Sequence, residues 1–151
     1  MIIKSPVIHY GETIPKIYTC DGSDISPPII WSGYPMETQS FVLLMEDPDA
    51  PIGVFTHWVV YDIPANINEL PEDFPKNPEV NGIKQGINDF GKIGYGGPCP
   101  PFGKPHRYFF RVFALDVPYL ELPAGASRQE VEVVMTGKII DEGYLMGLYS
   151  R

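Results

Sequence analysis

Ser40-Phe41-Val42-Leu43-Leu44-Met45 is an apolar run that ends against Asp47-Pro48-Asp49-Ala50-Pro51. A short apolar stretch closed by turn residues reads as a β-strand. Working outward, His57 to Ile63 and Arg107 to Leu115 repeat the pattern, with Ile29 to Trp31 before them and a terminal strand near Tyr144 to Tyr149. The 17 prolines and 15 glycines are scattered through 151 residues rather than blocked. Proline breaks helices and is poorly tolerated in central strands, so regular structure is confined to short pieces. One helix stands out. Ser127-Arg128-Gln129-Glu130 fits a capping box, and Val131, Val134, Met135 and Ile139 follow at helical spacing, although Gly137 could stop the helix early. From Pro64 to Pro105 the chain is rich in Pro, Gly and Asn and reads as loop with brief strands, a length more often functional than idle. No repeat or linker divides the chain, so residues 1–151 are expected to form a single domain.

The bulk composition narrows the function. Hydrophobic residues make up 44% and aromatics 13%, which fits a packed core and not a disordered chain. Eleven basic against nineteen acidic side chains leave a net charge of −8, which repels nucleic acid and anionic lipid at long range while allowing a locally positive pocket. The first residues show no signal peptide, and no segment approaches the ~20 apolar residues of a membrane span. Two cysteines, Cys20 and Cys99, are too few for a disulfide scaffold or, alone, a zinc site. The expected compartment is the cytoplasm.

Candidate site residues gather at strand starts. Period-two alternation puts His106, Tyr108 and Phe110 on one face of their strand, and His57 on a face with Val59 and Tyr61. Both histidines then stand beside loops, where they can reach a shared mouth. His9 reads as an ordinary surface residue. Asp47 and Asp49 suit a rigid turn that caps backbone N–H groups, while the prolines would also fix a functional acid, and Ala50-Pro51 could be cis. Gly86-Ile87-Asn88-Asp89-Phe90-Gly91-Lys92 mimics a phosphate loop, but Ile93 replaces the magnesium-binding Ser or Thr, and the following glycines and Pro98 prevent the required helix. Gly94-Tyr95-Gly96-Gly97 fails as a dinucleotide fingerprint for the same reason. Cys99 is the one thiol near a histidine in sequence, and its flanking prolines exclude an activating helix. Asp47, His57 and His106 could ligate a metal, without tight spacing behind them.

Taken in order, the motifs resemble one family. Ile14-Pro15, Tyr18-Thr19-Cys20-Asp21-Gly22, Ser26-Pro27-Pro28-Ile29 and Trp31 precede Asp47 to Pro51. After them come His57-Trp58-Val59-Val60-Tyr61, Asn88 to Lys92, Gly94 to Pro101 and Pro105-His106-Arg107-Tyr108. The set resembles the phosphatidylethanolamine-binding protein family in its short prokaryotic branch, from about Ile14 to Tyr149. The resemblance implies a mostly β fold, with a large antiparallel sheet packed with a smaller sheet and one or two short helices near the C-terminus. It also implies a pocket for phosphate or a phospholipid headgroup. Asp47, His57, His106 and Tyr108 match the family's pocket positions, and Gly97 and Pro101 match the loop that edges it. Kinase regulation, serine-protease inhibition and headgroup binding are linked to the family, and its relatives suggest a homodimer. Three departures stand out: Gly97-Pro98-Cys99 replaces the glycine and serine of animal members, Lys138 stands where short relatives often carry histidine, and the chain stops at Arg151 without a further helix. A more open pocket and a different partner surface are expected.

The expected function is therefore binding of a small anion, phosphate or phospholipid headgroup, by a regulatory module acting on a kinase or serine protease, with no cofactor. Two histidines and loop N–H groups would supply donors. Asp47 would orient an imidazole, or accept from a protonated phosphate oxygen or an ammonium group. The alternative is a hydrolase or metal-dependent enzyme using Asp47, His57 and His106, with Cys99 as a candidate nucleophile. Cys20 and Cys99 could also be joined in a disulfide, a bond uncommon in the cytosol outside hyperthermophiles.

Overall fold

The structure is a computed structural model that describes residues 1–151. Its elements run β1 (Ile2–Lys4), β2 (Ile29–Ser32), β3 (Ser40–Asp47), β4 (Phe55–Pro64), β5 (Glu69–Leu70), β6 (Glu79–Val80), β7 (Ile83–Gln85), β8 (His106–Leu115), α1 (Arg128–Met135) and β9 (Ile139–Tyr149). A 3-10 turn at Lys16–Tyr18 adds a helical piece for which the sequence reading had no signal. The large sheet has the order β6-β7-β4-β3-β8-β9, and the small one β1-β2-β5, with every strand pairing antiparallel. This is the large sheet packed with a smaller one that the resemblance implied. No helix is long and apolar enough to cross a membrane.

The central strand explains why its sequence is apolar without alternation. All eight residues of β3 are buried, because both faces of the large sheet are covered. Phe41, Leu43 and Met45 enter the core between the sheets, against Ile3, Ile29, Trp31 and Leu70 of the small sheet. Val42 and Leu44 enter a second core with Val59, Tyr61, Phe113 and Leu115, closed by Val131 and Met135 of α1. Fully burying such a side chain stabilises by about 1.5–3 kcal/mol, so the strand anchors both layers.

The helix and the long loop differ in detail from the sequence reading. Ser127 and Glu130 form both halves of the capping box, as expected. The helix stops at Met135, and Gly137 takes φ +84°, which turns the chain into β9. Ile139 therefore opens a strand and is not the last residue of the helix's apolar stripe. Within residues 64–105, β5 completes the small sheet and the β6–β7 hairpin edges the large one. The rest is held by side chains. Asn88 accepts from the N–H groups of Phe90 and Lys92 and donates to the Gly94 carbonyl, while Asp89 accepts from the N–H of Thr56. The mimic of a phosphate loop is thus a knotted turn docked on β4. Ala50-Pro51, left open between cis and trans, is trans, as no peptide bond in the chain is cis.

Cys20 and Cys99 are joined, with Cα atoms 5.4 Å apart across a separation of 79 residues. The bond pins the loop before β2 to the loop before β8, reinforced by the Cys20 N–H on the Pro98 carbonyl at 3.1 Å. Cross-linking removes freedom from the unfolded chain, typically worth about 2–4 kcal/mol. Two outcomes are expected in urea unfolding. Ser127→Ala lowers stability by about 1 kcal/mol through the lost cap. Gly86→Ala lowers it by more, because its Cβ would lie 2.2 Å from the Ala126 carbonyl oxygen.

Candidate functional site

The C-terminal end of β3 lies beside the N-terminal ends of β4 and β8, because the strands are antiparallel neighbours. A cavity of about 330 Å³ opens there. Asp47, His57, His106 and Tyr108 line it, with Pro101 at its edge. Five of the six expected site residues therefore meet. The sixth, Gly97, stands behind the wall. Its N–H donates to Asp24 Oδ1 at 2.8 Å, and an added Cβ would lie 2.2 Å from the Tyr18 carbonyl oxygen.

His57 reaches the cavity only because β4 is irregular. Met45 pairs with Trp58, but Glu46 pairs with Thr56, so His57 is an extra residue in the ladder. This β-bulge breaks the period-two alternation. The expectation that His57 shares a face with Val59 and Tyr61 is corrected: those two enter the α1-side core, whereas His57 packs on Phe55, Phe90 and Tyr108, with centroids 4.9, 5.4 and 5.3 Å away. Sequence gives no sign of a bulge at this position. His106 and Tyr108 follow the alternation as expected, with rings 6.5 Å apart and nearly parallel.

Hydrogen bonds fix both imidazoles. His57 Nδ1 lies 2.7 Å from the Gly96 carbonyl oxygen, which can only accept, so Nδ1 carries a proton and Nε2 is left for a ligand. Burial pushes the His57 imidazole below its ordinary value, with the Gly96 carbonyl and the charge of Asp47 opposing only in part. His106 Nδ1 donates to Asp47 Oδ2 at 2.7 Å, which again leaves Nε2. The other Asp47 oxygen takes the N–H of Asp49 at 2.8 Å. Tyr108 is fully buried, and its hydroxyl makes no hydrogen bond of good geometry, although the Asp47 carboxylate is near enough to act on it. Burial first, then the charge of Asp47, holds this hydroxyl far above the usual tyrosine range, so it stays O–H.

The two acids of the Asp47 to Pro51 turn have different work. Asp49 accepts the backbone N–H of Arg107 and binds its guanidinium through two 2.9 Å contacts, which lowers the Asp49 carboxyl to about 2. It clamps the turn to β8. Asp47 orients His106 inside the cavity. The loop N–H groups expected to serve a ligand are otherwise engaged: Gly96 donates to the His57 carbonyl at 3.0 Å, and Gly97 to Asp24. Cys99 lines the cavity as half of a disulfide, so the candidate thiol nucleophile is absent. Residues that sequence reasoning missed are the apolar walls Phe55, Phe90 and Pro100. Phe90 sits in the motif Asn88-Asp89-Phe90, whose use was already marked by its place in the family pattern.

The comparisons agree with this architecture. The profile of the family described as phosphatidylethanolamine-binding protein matches residues 4–150. A UPF0098 protein of Aquifex aeolicus is 68% identical over 142 residues, 93% of this chain and 83% of its own length. A UPF0098 protein of Methanothermobacter thermautotrophicus is 47% identical, covering 100% of this chain and 99% of its own. Among solved structures, the phosphatidylethanolamine-binding protein homologue CT736 of Chlamydia trachomatis superposes with a TM-score of 0.89 at 39% identity, over 99% of this chain and 96% of that one. Escherichia coli YbcL, described as a member of the mammalian family, gives 0.92 at 34% identity, over 99% and 97%. With the motifs, the two-sheet fold and the profile match in accord, this chain belongs to the phosphatidylethanolamine-binding protein family.

Proposed function

We propose that the chain is a single-domain, non-catalytic binding protein for a small phosphate-type ligand or phospholipid headgroup. One observation carries this reading: two imidazoles, each tied down at Nδ1, and a buried hydroxyl without a well-formed bond converge on one cavity. Buried polar groups rarely go unpaired, so a Tyr108 O–H without a well-formed bond favours a ligand acceptor in the cavity. A phosphate oxygen meets that need. Protonation of His106 would add a second donor and a positive charge beside Asp47.

The regulatory part of the proposal, action on a kinase or serine protease, is supported by the family relationship. As to compartment, disulfides are rare in mesophilic cytosol and common inside hyperthermophiles. The Cys20–Cys99 bond narrows the setting to an oxidising compartment or a hyperthermophile cytoplasm.

One observation favours a second reading. Asp47 holds His106 by Nδ1 as a carboxylate holds a general base, leaving Nε2 to take a proton from water during ester hydrolysis. Ester turnover that is lost in His106→Gln and kept in a Cys20→Ser, Cys99→Ser double variant would establish it.

Two outcomes follow from the binding reading. Inorganic phosphate or phosphoethanolamine titrated into the protein shifts the ring resonances of His57 and His106, and Tyr108→Phe weakens binding by about five- to tenfold through one lost hydrogen bond. Unshifted resonances at saturating ligand would end the proposal. Stability in the unliganded protein depends on His57. An unfolded histidine titrates near ~6.5, while the buried ring resists protonation, so the unfolded state binds more protons just below that pH. Stability is full above ~6.5 and falls as pH drops from there. Urea midpoints measured from pH 7 to 5 show this slope, and His57→Gln flattens it.

A further inference from the structure

We propose that the cavity selects a tetrahedral anion that brings its own proton, and that it discriminates phosphate from sulfate. The inference rests on the binding reading above and concerns which member of the anion class the site accepts.

Asp47 is an acceptor only, and it is 3% exposed. His57 spends its one ring N–H on the Gly96 carbonyl, so its Nε2 presents a lone pair. The charged or titratable groups around that ring are Asp47 on β3, His106 and Tyr108 on β8, and Asp24 in the loop behind Gly97; none hydrogen-bonds to it. Its neighbours in contact are the aromatic rings of Phe55, Phe90 and Tyr108. The loop amides of Gly96 and Gly97 face away, onto their own partners. Arg107 spends its guanidinium on Asp49 and is half exposed. The fixed donor left in the cavity is the Tyr108 hydroxyl, with His106 Nε2 joining it when that ring is charged.

Such a lining suits a ligand that both gives and takes hydrogen bonds. Sulfate near neutral pH carries no proton. Its oxygens would face the Nε2 lone pair of His57 and leave it without a partner, beside an Asp47 carboxylate already bonded to His106 and the Asp49 N–H. Inorganic phosphate keeps at least one P–OH across the neutral range, and a phosphomonoester keeps one below about pH 6. That O–H donates to His57 Nε2 or Asp47, while the bare oxygens accept from Tyr108 and His106. A site that hydrogen-bonds a ligand O–H rejects the analogue lacking it far more strongly than an apolar pocket rejects a missing methylene. Phosphodiesters also lack the proton, so a lipid headgroup would have to satisfy these acceptors through its ammonium.

Isothermal titration at about pH 6.5 and constant ionic strength tests the proposal with four probes: inorganic phosphate, sulfate, dimethyl phosphate and glycerophosphoethanolamine. Phosphate is expected to bind at least about tenfold more tightly than sulfate or dimethyl phosphate. Glycerophosphoethanolamine binding better than dimethyl phosphate would identify a headgroup as the source; parity between them would identify free phosphate or a monoester. His57→Gln, whose amide can donate, should bring sulfate to within about threefold of phosphate. Equal affinity of the native protein for phosphate and sulfate would overturn the proton requirement and leave the binding reading standing. Failure of phosphate, sulfate and both diesters to bind would remove the binding reading, and this inference with it. The phosphate-to-sulfate ratio of the native protein decides the matter even if the variant does not fold.

Discussion

The site depends on one break in register. β3 is buried on both faces, and its pairing with β8 is regular from Ser40 to Glu46. Its pairing with β4 cannot be, because β4 carries an additional residue opposite the step from Met45 to Glu46. The bulge puts His57 on the side of the small sheet, where Asp47, His106 and Tyr108 already point. In a regular ladder the imidazole would face the α1 layer, and the cavity would hold one histidine. Bulges are over-represented next to functional sites because they re-aim a side chain without changing the strand order.

Around that point the fold uses hydrogen bonds to set the protonation pattern. A carbonyl on His57 and a carboxylate on His106 each claim Nδ1, so both rings offer Nε2. The two environments differ. His57 is packed among aromatic rings against a neutral acceptor, while His106 has a carboxylate as its direct partner. Two histidines in one cavity thus stand in different surroundings, each with Nδ1 engaged. The Gly-rich loop contributes shape rather than amides. Its glycines allow the chain to pass close to Phe90 and to the Tyr18 carbonyl, where an added Cβ would lie 2.5 and 2.2 Å away.

The wall is held from outside the sheet. The disulfide, the Tyr95 hydroxyl on the Tyr18 carbonyl at 2.7 Å and the Gly97–Asp24 bond join residues 18–24 to residues 95–99. Arg151 lies over the Phe102 ring at 4.8 Å, with its guanidinium 3.6 Å from Cys99 Sγ. On the other side, the Asp49–Arg107 clamp holds the turn after β3. The cavity is therefore a gap between two loops that are each tied to a strand end.

Sequence by itself determined the long central strands, the capped start of the helix and the family. Apolar runs bounded by Pro and Gly, a capping box, and motifs in a fixed order are local signals, and local signals survive without coordinates. It also singled out Asp47, His57, His106 and Tyr108, through the ordered motifs of the family resemblance and not through alternation alone. Tertiary structure alone decided the rest. The side to which His57 points depends on a register slip between two strands, and the pairing of Cys20 with Cys99 depends on loops 79 residues apart meeting. Whether the amides of Gly96 and Gly97 were free depended on partners in other segments. Each of these is a matter of which distant atom occupies a hydrogen-bonding or bonding direction, and no spacing within the chain records that.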